Sequence, residues 1–532
     1  MSERTAAIDP AAALSGARIT GRRRRRTIPI GLALAAAAVA LLALVPVGYL
    51  IEQALSGGWS EVSSLLFRPL VGTLLAHTVW ITAATTIGCA VIGVAVAWCV
   101  ERTDLPGRRI WAVVAALPIT VPAFVTSYSW VSVTPAVQGF AGATMIVTLA
   151  YYPLVYLPVA AVLRGTDPAL EESARSLGLG PLRTFWRVTL PQTRVALLGG
   201  SLLVAIHTMA EFGAFSMLRF QTFTTAIYDQ YRLSFNGAAA STLATVLVLM
   251  CLVLLIGELR LRGRDRYHRS GSGSRRPALR AKLGRSKALV LTALTVLAAA
   301  SLGLPFATLV YWTERGSSTA ISGDLFAAAA TSLELGLAAA ALTTLLAMPV
   351  AILAVRFASP LATLVERSTY LAYGLPGIVV GLALIVVCIS FVPGVYGTTA
   401  VLLVAYAILA LPLALVAVRG ALAQAPPVHE EVARSLGLRP WAARLRVTLP
   451  AILPGLGAAA ALVFLATVTE LTATLLLAPI GTNTLATGFW SSASTLSYAA
   501  AAPYAALMVL ISAVPTYLLT RKVAAFGGLT PT

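Results

Sequence analysis

Charged residues are scarce in this sequence: they make up 11% of its 532 residues, whereas 58% are hydrophobic. A chain this apolar does not match the composition of a water-soluble globular protein, so that class is excluded. The alternating ten-residue strands that are typical of a transmembrane barrel are also missing. The composition therefore predicts an all-α integral membrane protein that lies in a lipid bilayer.

Cysteine and histidine are also rare, with four residues of each. The cysteines are isolated within apolar runs and show no CxxC spacing, so no metal site is assigned. The sequence contains no GxxxxGK[ST] phosphate-binding loop, no serine nucleophile elbow and no cluster of catalytic residue types. We therefore expect a protein that is not an enzyme and that binds no cofactor of its own.

Apolar runs of about 20 residues, the length that a helix needs to cross a bilayer, recur along nearly the whole chain. They predict twelve transmembrane helices. The approximate limits are 28–51, 71–100, 110–133, 141–163, 195–218, 238–259, 288–312, 325–355, 367–391, 396–418, 454–478 and 499–520.

The net charge of +19 indicates the orientation of the chain in the membrane. If the N-terminus is cytoplasmic, all Arg and Lys residues except Arg68, Arg219, Arg232 and Arg315 fall on the cytoplasmic side. This asymmetry is the one that the positive-inside rule describes. Basic and aromatic residues are not interleaved as in a nucleic-acid-binding surface. The pattern therefore predicts cytoplasmic N- and C-termini and no nucleic-acid partner.

Two stretches of the chain are nearly the same. Residues 171–191 read EESARSLGLGPLRTFWRVTLP and residues 430–450 read EEVARSLGLRPWAARLRVTLP, with 14 identical residues in 21 aligned positions. Weaker matches extend beyond them and pair, for example, Leu117-Pro118 with Leu375-Pro376. The chain is therefore interpreted as a tandem duplication.

The duplication divides the chain into two six-helix domains, at 28–259 and 288–522. Because each domain crosses the membrane an even number of times, the repeats are parallel, and a substrate path is expected at their interface. Residues 260–287 are rich in Gly, Ser and Arg and are predicted to form a basic, flexible cytoplasmic linker. Residues 1–27 form a basic cytoplasmic tail, and residues 523–532 form a C-terminal tail.

Each near-identical stretch lies between the fourth and fifth predicted helices of its domain, within residues 165–192 and 420–451. We call these the first and second repeated segments. Their polar character excludes a membrane span and predicts a short helix in each, over residues 168–177 and 427–436, that ends at a glycine in left-handed conformation.

The two short helices present matched side chains to a partner. The candidate contact residues are Glu171, Glu172, Ala174, Arg175, Leu177 and Gly178 in the first segment, and Glu430, Glu431, Ala433, Arg434, Leu436 and Gly437 in the second. The alanines allow close approach and the leucines supply apolar anchors. Asp167 is a good N-cap for the first helix, whereas Pro426 is a poorer one for the second. A lone amphipathic helix could rest on lipid headgroups, but two copies favour a specific protein partner.

The repeated segments resemble the EAA motif of ABC-transporter permeases, which reads Glu-Ala-Ala, four residues, Gly, and later hydrophobic-x-Leu-Pro. The matching positions are Glu172, Ser173, Ala174, Gly178 and 188–191, then Glu431, Val432, Ala433, Gly437 and 447–450, with Ser173 and Val432 replacing the first Ala of the motif. The resemblance implies the type I ABC importer permease fold in a bacterial cytoplasmic (plasma) membrane. It also implies two copies of an ATPase subunit, which hydrolyse ATP with Mg and dock on the short helices, and an extracytoplasmic solute-binding protein.

The whole chain resembles the fused permeases of ferric-iron importers. The resemblance rests on strings such as AEFG at residues 210–213 and ELTATLLL at residues 470–477. Similar strings occur in sulfate and molybdate permeases, so these residues alone do not choose the cargo. The whole-chain resemblance makes ferric iron the expected cargo, with thiamine, sulfate or molybdate, and polyamine as alternatives. An ion-gradient-driven secondary transporter would also have twelve helices, but it has no reason to carry paired EAA-like segments.

Glu211 and Glu470 lie at equivalent positions in the fifth predicted helix of each domain. Acids within a membrane usually face a cavity or a partner, and their oxygens suit a hard trivalent cation. Alternatively, each carboxylate accepts hydrogen bonds from its surroundings and has a structural role. His207 lies four residues before Glu211, on the same helical face, but Ala466 stands at its place in the second domain. The missing match is more typical of a packed or hydrogen-bonded histidine than of a ligand. These three residues are the candidates for the translocation path.

Overall fold

A computed structural model describes residues 28–56, 67–166, 169–261, 280–316, 323–357 and 359–526. Within these residues the regular structure is helical apart from one isolated β-bridge, between Thr103 and Ala281. The predicted all-α class is therefore confirmed. The predicted tail at 1–27, most of the linker, and the predicted N-cap Asp167 lie outside the described residues. So do residues 527–532 of the predicted C-terminal tail at 523–532, whereas 523–526 belong to the last helix.

The helices follow the chain in two matched series. In the first half they are α1 (Ile30–Ser56), α2 (Pro69–Arg102), α3 (Arg108–Val114), α4 (Ala123–Val133), α5 (Phe140–Tyr151), α6 (Pro153–Gly165), α7 (Ala169–Ser176), α8 (Pro181–Thr184), α9 (Leu190–Gln192), α10 (Arg194–Ala210), α11 (Gly213–Met217), α12 (Phe223–Arg232) and α13 (Gly237–Leu261). In the second half they are α14 (Lys287–Ala298), α15 (Leu304–Arg315), α16 (Gly323–Arg356), α17 (Pro360–Leu371), α18 (Gly377–Phe391), α19 (Thr399–Ala423), α20 (Pro427–Ser435), α21 (Pro440–Ala443), α22 (Leu449–Val468), α23 (Thr472–Leu477), α24 (Leu485–Ser494) and α25 (Tyr498–Phe526).

The described residues contain nine helices that are long and apolar enough to cross a membrane, or up to twelve when each of three bent pairs is one span. Two of the bends are equivalent in the two halves, since α3 and α4 meet at 91° and α17 and α18 meet at 109°. Pro122 and Pro376 precede the second helix of each pair with nearly the same backbone angles. Proline disfavours helical conformation in the residue before it, which accounts for the sharp turn at both places.

These bends correct one detail of the sequence comparison, which paired Leu117-Pro118 with Leu375-Pro376. In the structure Pro118 lies inside a short 3₁₀ helix, Leu117–Thr120, and the turn equivalent to Pro376 comes at Pro122. The two Pro residues of the first half lie only four positions apart, so similarity of the string alone could not identify which one makes the turn.

The first helix of each half packs against the other half. Helix α1 packs against α16, α17 and α18 of the second half, and α15 packs against α4 of the first half. Trp130 on α4 donates a hydrogen bond from Nε1 to the carbonyl of Ala300, between α14 and α15, at 3.3 Å. This exchange buries apolar faces of both first helices in the main hydrophobic core and makes the two halves one bundle.

Candidate functional site

The short helices of both repeated segments end in the same way. Gly178 and Gly437 have φ of 84° and 91°, values that glycine adopts without steric cost. In the first segment the amides of Gly178 and Leu179 donate to the carbonyls of Arg175 and Ala174, and the second segment repeats both bonds. This is a Schellman cap, which satisfies carbonyls that the helix end leaves free.

The exposed faces of the two segments are apolar at equivalent positions. Leu177 and Leu436 are 84% and 80% exposed. Leu182 and Trp441, which follow at matching places, are 67% and 61% exposed. Large apolar groups that are exposed together usually mark a surface that another protein or a membrane covers. We call the exposed apolar side chains of these segments the docking faces.

The alanines do not belong to the docking faces. Ala174 and Ala433 were expected to let a partner approach closely, but both are buried, each only 7% exposed. They pack inward because the short helix lies against the helical turns that follow it in the same segment. A small residue is thus needed at these two positions for packing within the chain. Of the other candidate contact residues, Glu172 is half-buried, and Glu431, Arg434 and Leu436 are exposed.

The first glutamate of each segment is held differently in the two copies. Glu171 is buried, and its Oε1 lies 3.3 Å from Nε of Arg102 and accepts a hydrogen bond of 3.1 Å from the hydroxyl of Thr189. Glu430 is more exposed, and its oxygens lie 3.4 Å from Nε of Arg444 and 3.4 Å from the hydroxyl of Thr448. Thr189 and Thr448 are equivalent positions, but the arginines are not: Arg102 ends the spanning helix α2, whereas Arg444 belongs to the second repeated segment.

Glu211 and Glu470 lie where the fifth predicted membrane span of each half is interrupted. Helix α10 ends at Ala210 and the short α11 begins at Gly213, and the same break separates α22 from α23. Glu211 accepts a hydrogen bond of 2.9 Å from the amide of Ala214, and Glu470 accepts bonds of 3.1 and 3.0 Å from the amides of Thr472 and Ala473. Each carboxylate therefore caps the N-terminus of the helix that follows it.

The two breaks meet at the interface between the halves. A methyl group placed on Gly213 would lie 3.0 Å from Cδ2 of Leu471, so the side chain of Leu471 lies against the backbone of Gly213. The carboxylates of Glu211 and Glu470 are near enough to interact electrostatically. The structure thus brings the two predicted acids to one place, as the parallel repeat requires, and fixes each of them by backbone amides.

A cluster of buried aromatic side chains joins the halves beside the breaks. Phe212 packs on Trp490 with ring centroids 5.1 Å apart, and Phe124 packs on Phe489 at 5.3 Å. The hydroxyl of Tyr128 donates a hydrogen bond of 2.6 Å to the carbonyl of Tyr498. Sequence reasoning missed these residues because aromatic side chains are common in apolar helices, and only the tertiary fold brings them together.

His207 reaches Glu211 only through a third residue. Its ring lies 5.8 Å from the ring of Tyr151, and the Tyr151 hydroxyl donates a hydrogen bond to the Glu211 carboxylate. His207 Nδ1 lies 2.8 Å from the carbonyl of Leu203, one turn earlier in its own helix. Across the described part of the chain, no three His, Cys, Asp or Glu side chains are grouped closely enough to hold a metal ion.

A duplicated bundle of apolar helices, with polar groups at the interface of its halves and two matched docking faces, defines a membrane permease made of two fused halves. Comparison with known families makes this specific. The chain belongs to the family described as binding-protein-dependent transport system inner membrane component, whose model matches residues 90–260 and 343–524. The family is thus present twice, once in each half.

Curated relatives share this architecture over different lengths. The chain is 38% identical to the Fe(3+)-transport system permease protein FbpB 2 of Haemophilus influenzae, over 90% of this chain and 95% of the relative. It is 32% identical to the sulfate transport system permease protein CysW of Synechocystis, over 34% of this chain and 72% of the relative. It is 27% identical to the molybdenum transport system permease protein ModB of Escherichia coli, over 31% of this chain and 82% of the relative. The chain is therefore a multi-pass plasma-membrane permease with two fused domains.

Proposed function

We propose that this permease imports ferric iron across the plasma membrane, driven by ATP hydrolysis in separate subunits. The observation that carries the cargo is the similarity to a Fe(3+) permease along nearly the whole chain, both halves included. The sulfate and molybdenum relatives match about a third of this chain each.

The docking faces support two ATPase subunits as partners. They are matched in position and apolar, and the parallel six-helix repeats place them at the same end of the bundle. The charge distribution along the sequence assigns that end, and both termini, to the cytoplasm. One copy of an ATPase subunit would bind each repeated segment and hydrolyse ATP with Mg, while a solute-binding protein would deliver cargo at the opposite end.

Movement of the docking faces would drive the cycle. ATP favours one arrangement of the two ATPase subunits, and the permease follows only if one of its own states binds that arrangement better. The contact between Gly213 and Leu471 and the aromatic pairs beside it lie at the interface, so cargo that passes between the halves there would separate them. The path would therefore open and close at the breaks of the fifth helices.

Reconstitution tests the cargo. The permease is purified with its cognate ATPase and binding protein in liposomes, and ATP hydrolysis and uptake are measured with ferric iron, sulfate, molybdate, thiamine or a polyamine. Ferric iron should stimulate hydrolysis and be taken up. Stimulation by another cargo and not by ferric iron would refute the cargo and leave the permease assignment intact.

Substitutions of Glu211 and Glu470 distinguish a ligand role from a capping role. Glutamine keeps an oxygen that can accept the amide hydrogen bonds but removes the charge, whereas alanine removes both. If the charges attract ferric iron, the double Gln variant loses uptake although it inserts normally. If capping is their role, the Gln variant transports and only the Ala variant fails.

A further inference from the structure

Arg102 lies where the end of α2, the first repeated segment and the described end of the linker meet. It is the last residue of α2, a 34-residue helix that spans the membrane, and its side chain is 4% exposed beside Glu171 of the first repeated segment. Neither Nε nor Nη2 of Arg102 has a well-directed hydrogen bond within the described residues. The buried guanidinium therefore relies on charge for compensation, from Glu171 in contact and from the neighbouring Glu101. Buried ion pairs of this kind lose much stability when one partner is removed.

The same corner holds the end of the linker between the halves. The amide of Ala281 donates to the carbonyl of Arg102 at 2.9 Å, and the amide of Asp104 donates back to the carbonyl of Ala281 at 3.1 Å. Asp104 then accepts a hydrogen bond of 2.8 Å from the amide of Leu283 and lies 3.4 Å from Nζ of Lys287. We call these contacts of residues 102–104 with 281–287 the linker clasp.

The linker clasp changes the picture of a wholly flexible connection over residues 260–287. Its described end, residues 280–287, is attached to the first half by backbone hydrogen bonds and continues directly into α14. The first helix of the second half is thus tied to the corner where α2 meets the first repeated segment. A displacement of Glu171 would act on α2 through Arg102 and on α14 through the clasp.

The second half is built differently at the equivalent place. Arg356, which ends α16 as Arg102 ends α2, donates from Nη2 to the carbonyl of Ala425 at 2.9 Å. Glu430 pairs instead with Arg444, a residue of its own segment. In the first half the position of Arg444 is held by Phe185, which packs on Trp98 of α2 with ring centroids 5.6 Å apart. Both contacts of the first segment reach the spanning helix, whereas the glutamate of the second is paired locally.

We propose that Arg102 is a positioning residue that transmits movement of the first repeated segment to α2 and, through the linker clasp, to α14. The two docking faces are therefore mechanically unequal although they are matched in sequence. The first drives the bundle through a buried ion pair, and the second is linked to its spanning helix by a hydrogen bond to a loop carbonyl. This inference rests on the proposed function, because it assigns the route by which ATPase movement reaches the membrane.

The duplication supplies a matched control for a test. R102Q and E171Q each break the buried pair, and R356Q makes the first of these changes in the second half. Each variant is expressed as the full chain with its ATPase and binding protein, and the ratio of ferric iron imported to ATP hydrolysed is measured. R102Q and E171Q should lower this ratio about fivefold or more, the range of a typical coupling free energy, while R356Q stays within about twofold of wild type.

Further variants separate positioning from simple loss of structure. R102K should restore part of the ratio, and the double variant R102Q/E171Q should be no worse than the poorer single variant, since the two act as one unit. D104A weakens only the linker clasp, leaves the buried pair in place, and should lower the ratio even if R102Q does not accumulate in the membrane. An unchanged ratio in D104A, or an equal loss in R356Q and R102Q, would overturn the proposal.

A second readout does not depend on the cargo. Spin labels on the exposed residues Leu233 and Ile480, one in each half, report the distance between the halves with and without ATP. Wild type and R356Q should show the same ATP-dependent change, and R102Q a smaller one. If ferric iron is not imported by wild type but the labels respond in this pattern, the cargo assignment fails and the positioning role stands. Equal responses in R102Q and R356Q would refute the positioning role.

Discussion

Truncating the exposed leucines of the docking faces should weaken the binding of the ATPase. Leu177→Ala removes three carbon atoms, and at about 0.8 kcal/mol for each buried methylene this is worth about 2.4 kcal/mol. Leu177 is 84% exposed before docking, so about 2 kcal/mol is available if the partner covers it fully. That corresponds to about a thirtyfold rise in Kd for the ATPase, and Leu436→Ala should have a similar effect.

The measurement is a titration of the detergent-solubilised permease with the labelled ATPase subunit. Leu249→Ala is a matched control, since Leu249 is 57% exposed on the apolar helix α13, where the bilayer covers it. This control should bind the ATPase like wild type. If Leu177→Ala and Leu436→Ala also bind like wild type, the exposed apolar surface of the repeated segments is not where the partner docks.

Three further predictions concern other parts of the chain. Gly377→Ala places a methyl group 2.5 Å from Oε1 of Glu470, so it should displace the carboxylate that caps α23 and reduce transport. As a control, Gly394→Ala meets no atom within 4 Å and should transport normally. Gly437→Val forces a branched residue to a φ of 91° and should lower the melting temperature of the permease by an amount equivalent to about 1–3 kcal/mol, measured by thermal unfolding; a melting temperature equal to wild type would contradict this. Hydrogen bonding from the Leu283 amide lowers the pKa of Asp104 below its ordinary value of 3.8. The bond from Leu283 to the Asp104 carboxylate should therefore keep its full strength above pH 3.8 and weaken only as the pH falls through the depressed pKa; protection of the Leu283 amide from hydrogen exchange that decreased between pH 8 and pH 5 would contradict it.

Much of the architecture could be predicted because it follows from local patterns. Length and apolarity identify spanning helices, and the duplication gives the two halves their parallel arrangement. Gly178 and Gly437 predict the helix ends at which the structure places left-handed glycines. These features depend on a few neighbouring residues, so the sequence alone carries them.

The remaining features depend on residues that are distant in the chain. The inward packing of Ala174, the pairing of Arg102 with Glu171 across 69 positions and the exchange of first helices are decided by tertiary contacts. One signal for Arg102 was present, since it and Arg356 end equivalent helices in the two repeats. The position alone does not show that the first arginine binds a carboxylate and the second a carbonyl. That difference follows from what stands opposite, Phe185 in one copy and Arg444 in the other.

The exchange of first helices has a consequence for how the two halves can be separated. Since α1 packs in the second half and α15 contacts the first, a cut between residues 261 and 280 would leave two polypeptides that remain packed against each other. Pulling them apart would require each fragment to withdraw a membrane helix from the body of the other. The covalent linker is therefore not what holds the two halves together. Its bonded end can instead set when one half moves relative to the other.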